Sequence, residues 1–337
     1  MELTEHDLVL VTGATGLVGS HVAERLRQLN VQTRAIVRSN ADTSLLRSWG
    51  VEIVPGDLTD SASLASAAEG VTVVIHCAAK VGDWGPVEDY RKVNVEGLAG
   101  LLDAVQRPGV LKRFVHISSL GVYEARDHHG TDETTPPSLS GIDGYTRTKA
   151  ESEKLVLDRV RQTQLPAVVL RPGFIYGPRD RTILPRILSR LKDGSFKYLG
   201  SGGQLLNNTY VGNVVEAVLL AIRRDDVLGE AFNITDDQLV TKRYFAAGIA
   251  RRAGLPEPTK SVALPVAKAA AKVLEAVYRA LGKKEAPLPS MATVKFLGLN
   301  LDYSIDKARN RLGYAPSITF DQGMDRTFAW LRAEGLA

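Results

Sequence analysis

LVLVTGATGLVGS, residues 8–20, decides how the whole chain is read. Leu8–Val11 is a short apolar run with β-branched residues, the pattern of a strand buried on both faces. Thr12–Thr15 makes a tight turn. From Leu17 helical periodicity takes over, with Val18, Val22, Leu26 and Leu29 on one face. Strand, turn and helix together form an anion site, because the helix N-terminus offers unpaired N–H groups and a partial positive charge. Gly13 allows the turn, Gly16 lets a backbone approach a pyrophosphate, and Gly19 lets the helix pack close to the strand. The spacing is G-x-x-G-x-x-G. It differs from the G-x-G-x-x-G dinucleotide fingerprint and lacks the Gly-Lys-Ser/Thr of a P-loop. Such a turn can also serve strand–helix packing alone. Its place on the first strand, with further βα units behind it, favours a dinucleotide.

Outward from the turn, strands are expected at 32–37, 51–54, 72–76, 113–117 and 167–170. Helices are expected at about 42–49, 61–69, 87–106 and 145–162. This alternation predicts an α/β protein with a doubly wound parallel sheet. Beyond Arg171 the rhythm breaks into helices at 183–192, 214–223, 242–253 and 320–332 and short strands at 196–198, 208–210 and 231–234. That half is expected to form a smaller α+β lobe over the ligand crevice at the carboxyl ends of the strands. The expected division is a nucleotide-binding domain at 1–175 and a substrate-binding lobe at 176–337, with the chain crossing back once.

The 337 residues carry a net charge of +4, with 44% apolar and 24% charged residues, an ordinary balance for a globular protein. No basic cluster interleaved with aromatics points to nucleic acid. Cys77 is the only cysteine, so neither an intramolecular disulfide nor a cysteine-rich metal site is possible, which fits a reducing compartment. Met1–Asp7 is polar and no apolar run is long enough to cross a bilayer, so a cytoplasmic protein is expected.

The end of the second strand selects the adenosine. An acidic residue there takes both ribose hydroxyls of NAD. Here the strand ends Ala35-Ile36-Val37-Arg38-Ser39, without a carboxylate. Arg38 can pair with a 2′-phosphate, and Arg34 lies on the same strand face. NADP(H) is therefore preferred and NAD(H) is the alternative. A solvated strand-end charge is the other reading of Arg38. Asp57, in Gly56-Asp57-Leu58, can accept from an adenine amino group or cap the next turn. Ala78 and Ala79, after the fourth strand, let a backbone approach the dinucleotide or simply pack tightly.

Tyr145 and Lys149 are four residues apart, hence on one face of a helix. A lysine ammonium near a phenol lowers its pKa, and such a tyrosine exchanges a proton with a carbonyl or alcohol oxygen during hydride transfer. Ser118 and Ser119 end the fifth strand, where a hydroxyl can polarise the same oxygen. Each signal has a plainer explanation in a solvated helix start or a capped turn. Together they are specific.

Together these segments resemble the extended branch of the short-chain dehydrogenase/reductase superfamily over nearly the whole chain. The motifs are TGATGLVGS (12–20), GDL (56–58), HCAA (76–79), VNVEG (93–97), HISSLGVY (116–123), YTRTK (145–149), RPGFIYGP (171–178) and NNTYVGNVVEA (207–217). The resemblance implies a Rossmann-type fold, with Ser119, Tyr145 and Lys149 catalytic and Asn94 supporting them. It places the dinucleotide against Gly13, Thr15, Gly16, Leu17, Val18 and Gly19 at the turn. Arg38, Asp57, Leu58, Ala78, Ala79 and Lys80 follow along the strand ends, and Pro172, Gly173 and Ile175 wrap the nicotinamide. Within the branch, the chain is similar to the 3β-hydroxysteroid dehydrogenase-like group, which includes sterol-4-carboxylate decarboxylating dehydrogenases and bacterial 2-alkyl-3-oxoalkanoate reductases. That group often has an acidic residue where this chain has Arg38, which favours NADPH-driven ketone reduction.

Dehydratases of this scaffold carry Asp-Glu after the catalytic Ser/Thr, whereas Leu120-Gly121 follows Ser119 here. A sugar-nucleotide epimerase with retained NAD, and a non-catalytic redox-sensing protein, are the alternatives to an oxidoreductase of a hydrophobic alcohol or ketone. Asp83, Trp84, Leu120, Phe174 and Tyr210 are candidates for the substrate pocket, or for packing between the two halves. Residues 265–281 are amphipathic, with Val266, Ala270, Val273, Val277 and Leu281 on one face and Lys268, Lys272, Glu275 and Arg279 on the other. This helix reads as packed on the small lobe or as a lid, ahead of a membrane-surface contact. His128 and His129 read as exposed loop residues without a third ligand, so no metal is expected; His76 and His116 read as packed. The resemblance also implies a homodimer through helices 87–106 and 145–162.

Overall fold

The computed structural model describes residues 1–107 and 109–337. From β1 (Leu8–Thr12) the glycine turn leads into α1 (Leu17–Gln28), then β2 (Gln32–Val37), α2 (Ser44–Ser48), β3 (Glu52–Pro55), α3 (Ser61–Ala68) and β4 (Val73–His76). Next come α4 (Val87–Arg91) and α5 (Gly97–Gln106), which join through a π-helical turn, Lys92–Glu96, where the sequence predicts one regular helix. β5 (Arg113–Ile117), β6 (His128–Thr131), α6 (Gly144–Thr163), β7 (Ala167–Pro172) and β8 (Phe174–Tyr176) follow. The chain continues as α7 (Ile183–Lys192), β9 (Tyr198–Leu199), β10 (Leu205–Leu206), β11 (Asn208–Tyr210), α8 (Val211–Arg223) and β12 (Ala231–Ile234). It closes with β13 (Val240–Thr241), α9 (Lys242–Arg252), β14 (Ser261–Val262), α10 (Leu264–Ala280), α11 (Met291–Gly298), β15 (Leu301–Tyr303) and α12 (Phe320–Ala333).

Seven strands form one parallel sheet in the order β12-β7-β5-β4-β1-β2-β3. Side chains alternate between its faces. Val9 and Val11 of β1 join Val22 and Leu26 of α1 and Val215 and Val218 of α8 in one buried layer. Leu10 points the other way, to Leu64, Leu98, Leu101 and Val156 of α3, α5 and α6. From β1 the chain moves outward to β2 and β3, then returns to place β4 on the opposite side. Connections leave the carboxyl edge in both directions at that point, which opens a crevice there. A second apolar cluster, including Phe174, Tyr176, Leu184, Phe245, Phe320 and Phe328, packs β8, α7, α9 and α12 beside that edge.

The outermost strand comes from the second half. α8 packs with the α1 layer, and β12 then pairs with β7, Ala231 opposite Val169 and Ile234 opposite Pro172.

Two further expectations fail. His128 is not an exposed loop residue. It lies in β6, which pairs with β15, and its ring is buried against Tyr303 with centroids 4.6 Å apart. One ring nitrogen is 3.0 Å from the Thr131 hydroxyl and the other 3.0 Å from the Glu124 carbonyl. His129, beside it, is exposed. The second failure is the orientation of α10. Val266, Val273 and Leu281 are each more than 60% exposed, while Ala267, Ala271 and Glu275 are buried. Small alanines let α10 lie close to α11. Glu275 is kept inside because it accepts from the Met291 amide at the start of α11 and from Arg279.

Candidate active site

The nucleotide side of the crevice begins at Gly13, whose φ of +66° favours glycine. A Cβ here would lie 2.7 Å from the Ala78 amide nitrogen, so β1 and β4 can approach only with glycine at this position. A Cβ on Gly19 would lie 2.2 Å from the Gly13 carbonyl, so α1 also sits directly on the turn. The Thr12 hydroxyl ties the two strand ends, accepting from the Ala78 amide at 3.1 Å and lying 2.8 Å from His76 Nδ1. No side chain caps α1 and its first turn holds no acidic residue, leaving the amides of Leu17, Val18 and Gly19 open to an anion. Thr15 and Gly16 are exposed. This cradle fits a dinucleotide pyrophosphate.

Further along the edge, Arg38 is exposed and makes no ion pair among the described residues. Arg34 does not join it: its guanidinium pairs with Glu52 at 3.0 Å and donates to the Ala67 carbonyl. Asp57 closes a turn, accepting from the Thr59 amide and hydroxyl at 2.9 and 2.8 Å. The Leu58 side chain packs against Gly97. Lys80 sends its ammonium to Asp89, 3.5 Å away, and over the Tyr90 ring. Pro172 and Gly173 join β7 to β8, beside which half-buried Ile175 pairs with Thr209 of β11. A Cβ on Gly173 would collide with the Asn207 carbonyl.

Ser119, Tyr145 and Lys149 converge where β5 ends and α6 begins. Asp143 caps α6, accepting from the Thr146 amide at 2.7 Å. Gly144 follows because the Tyr90 ring of α4 packs there; a Cβ would sit 2.4 Å from it. The Ser119 hydroxyl accepts from the Gly121 amide at 2.9 Å and lies beside the Tyr145 phenol. Lys149 is buried, and its Nζ donates to the Ile117 carbonyl at 2.6 Å rather than to the phenol. The expected lowering of the Tyr145 pKa is therefore absent in this structure. Burial pushes the phenol up, the Ser119 contact opposes this, and the Asp143 carboxylate adds to it. Burial also lowers Lys149 to about 8, with Cys77 and Glu153 opposing the shift. His76 and His116 are buried beside this ammonium and stacked at 5.5 Å between centroids. They are packed groups, held neutral first by burial and then by Lys149.

Residues 9–235 match the NAD dependent epimerase/dehydratase family. The chain belongs to this family. It is similar to the 2-alkyl-3-oxoalkanoate reductase of Shewanella oneidensis, with 31% identity covering 95% of this chain and 85% of the relative. It is also 31% identical to a decarboxylating sterol-4-alpha-carboxylate 3-dehydrogenase of Candida albicans, over 97% and 98% of the two chains. The crystal structure of gox2253 superposes with a TM-score of 0.83 at 30% identity, covering 98% of this chain and 99% of that one. The protein is thus an extended short-chain dehydrogenase/reductase that uses a nicotinamide dinucleotide and a small-molecule substrate. Among the described residues, no helix is long and apolar enough to cross a membrane.

In this family member, Asn94 sits in the π-helical turn. It accepts from the Lys80 amide at 2.7 Å and donates to the Lys80 carbonyl and the Thr148 hydroxyl at 3.0 and 2.9 Å. The loop after β4 is thereby fixed to the helix that carries Tyr145 and Lys149. Sequence reasoning missed a buried network beneath. Glu153 forms a bidentate ion pair with Arg171, and the Ser118 hydroxyl donates to Glu153 at 2.7 Å. Arg171 donates to the Tyr123 hydroxyl at 2.6 Å, which donates to Asn233 Oδ1 at 2.9 Å. The arginine of RPGFIYGP was visible in the sequence, but its partners, 18 and 48 residues away, were not.

The expected pocket residues separate. Leu120 and Tyr210 are buried packing residues, Leu120 against Tyr123 and Leu301, and Tyr210 against Tyr176. Phe174 packs against Phe296 of α11 as a tilted pair with centroids 4.8 Å apart. Asp83 and Trp84 form a latch to the α10–α11 hairpin. Asp83 accepts from the Ser290 hydroxyl at 3.1 Å, and the Trp84 indole donates to the Lys283 carbonyl at 2.8 Å while packing on Tyr278 and Arg279. The hairpin brings in a residue the sequence did not flag. Lys295 reaches from α11 to the Gly121 and Tyr123 carbonyls at 3.0 and 3.3 Å, and burial lowers its pKa to about 8.

Proposed function

We propose that this protein is an NADP(H)-preferring oxidoreductase that interconverts the ketone and secondary alcohol of a hydrophobic 3-oxo or 3-hydroxy acid. The observation that carries it is the meeting of the Ser119 hydroxyl with the Tyr145 phenol at the same sheet edge as the uncapped start of α1. The names of the relatives narrow the substrate. A 2-alkyl-3-oxoalkanoate and a sterol-4-alpha-carboxylate oxidised at position 3 both carry a carboxylate one carbon from the reacting centre.

The α1 amides hold the pyrophosphate, and Arg38 reads the 2′-phosphate. The nicotinamide, when bound, supplies or accepts the hydride. Ser119 hydrogen-bonds the substrate oxygen, and Tyr145 gives that oxygen its proton as the alcohol forms or takes it back in the reverse direction. The raised phenol pKa keeps Tyr145 protonated at neutral pH, the form a reduction needs. Lys149, held by the Ile117 carbonyl at the strand end, would hold the nicotinamide ribose hydroxyls there.

The test is turnover of NADPH with 2-alkyl-3-oxo acids. Tyr145→Phe should lower kcat by about 10²–10⁴-fold, while NADPH binding, followed by its fluorescence, stays at the wild-type level. Wild-type turnover in this variant would remove Tyr145 from the reaction.

A further inference from the structure

The Lys295 ammonium has three donors, and two are taken by the Gly121 and Tyr123 carbonyls. Among the described residues, no carboxylate lies within ion-pair distance of it. Asp143, whose charge acts on it, directs a carboxylate oxygen to the Thr146 amide and hydroxyl as the cap of α6. Lys295 lines a cavity of about 190 Å³ together with Ser138, Ser140, Ile142 and Thr146. Glu124 also lines it, but this exposed carboxylate is turned toward Arg126, 3.7 Å away. The cavity is therefore lined by one cation with a donor to spare and by the Ser138–Ser140 pair, a donor set for an anion.

Its position relative to the reacting groups is fixed by a single residue. The Gly121 amide donates to the Ser119 hydroxyl, and the Gly121 carbonyl accepts from Lys295. Thr146, on the cavity wall, directly follows Tyr145. Ser119 and the Lys295 ammonium are thus hydrogen-bonded to opposite ends of the same residue, Gly121, which sets the cation on the side of the reacting pair. In a 3-oxo acid, one carbon separates the ketone carbon from the carboxylate, so the anion lies close to the reacting oxygen.

We infer that Lys295 is the seat of the substrate carboxylate and selects 3-oxo and 3-hydroxy acids over neutral ketones. This rests on the proposed oxidoreductase reading and names the group that reading leaves unassigned. Ser138 and Ser140 are hydrogen-bonded to each other at 2.8 Å, which leaves one hydroxyl proton of the pair for the same anion.

The experiment compares wild type, Lys295→Met and Lys295→Arg on a 2-alkyl-3-oxo acid and on the methyl ketone of equal chain length. With the acid, Lys295→Met should raise KM roughly 10- to 100-fold, the loss of one charge-assisted hydrogen bond, with little change in kcat. KM for the methyl ketone should move by less than about two-fold, and Lys295→Arg should recover most of the activity on the acid. Equal losses on both substrates would overturn the inference, leaving Lys295 as a clamp on the Gly121–Tyr123 turn. An unchanged KM for the acid would overturn it too. Calorimetric binding of dodecanoate to wild type and Lys295→Met does not depend on turnover. Weaker binding to the variant supports the seat, and equal binding removes it. If wild type reduces neither substrate with NADPH or NADH, the oxidoreductase reading fails, and the dodecanoate comparison still decides the anion seat.

Discussion

Arg38 stands exposed where β2 ends and makes no ion pair among the described residues, while nearby Asp57 is already bound to Thr59. An arginine so free gains most from a phosphate, whose oxygens match the guanidinium fork. Arg38→Ala should weaken NADPH binding by at least about ten-fold, one charge-assisted contact, and leave NADH within about two-fold. Paired fluorescence titrations with the two cofactors check this, and equal losses would show that Arg38 does not read the 2′-phosphate. The turn at Gly13 and the convergence of Ser119, Tyr145 and Lys149 were legible in the sequence because short motifs of fixed spacing carry them. Lys295 and His128 were not. Lys295 finds its partners 172 and 174 residues away, and His128 is covered by Tyr303 from a strand that no local pattern announces.

At the scale of elements, α6 is the most heavily determined helix. Asp143 caps its start, Asn94 fixes its first turns through Thr148, and Glu153 anchors its middle to β7 through Arg171. The last contact is a fully buried ion pair, 4% and 1% exposed on its two side chains. Such a pair adds little net stability when complete, but losing one partner strands a charge. Glu153→Gln should destabilise the fold by about 3–5 kcal/mol, visible as a lower urea midpoint. A midpoint close to wild type would mean that Arg171 finds another acceptor. For α10 the sequence showed an amphipathic helix, yet the inward face is the alanine stripe, not the valine stripe. Periodicity locates an apolar face but does not say whether a neighbour covers it. Here the close approach of α11 selects the smaller side chains.

For the molecule as a whole, buried bases dominate the pH response. Lys149 is lowered to about 8 and Lys242 to about 7. Lys242 is buried, donates to the Leu299 carbonyl and faces Asp127. His76 stays neutral down to about 3. In each case the unfolded chain holds a proton that the folded chain has already released, so stability rises with pH across the interval between the two pKa values. For the lysines that interval runs from about 7 or 8 to the ordinary lysine value near 10.4. For His76 it runs from about 3 to 6.5. Between pH 7 and 9.5 the unfolding free energy should increase by about 5 kcal/mol from Lys149 and Lys242 together, with Lys295 adding to it, where one pKa unit corresponds to 1.36 kcal/mol. Lys242→Met should flatten the rise, and a stability that is level or falling over this range contradicts the assignment. The parallel sheet itself was legible from alternating strands and helices. A return of the chain from the second half is expected from the sequence, but the pairing of its outermost strand with β7 is a long-range contact that no local pattern encodes.

That return matters during synthesis. β7 leaves the ribosome with its outer edge of amides and carbonyls unpaired, and Ala231–Ile234 is made only after β8, α7, β11 and α8. In that interval the nascent chain already contains every residue of the glycine turn and the Ser119–Tyr145–Lys149 cluster, yet it presents an open parallel edge that another nascent chain can join. Slower synthesis of residues 173–234 therefore lengthens the time for which that edge stays open.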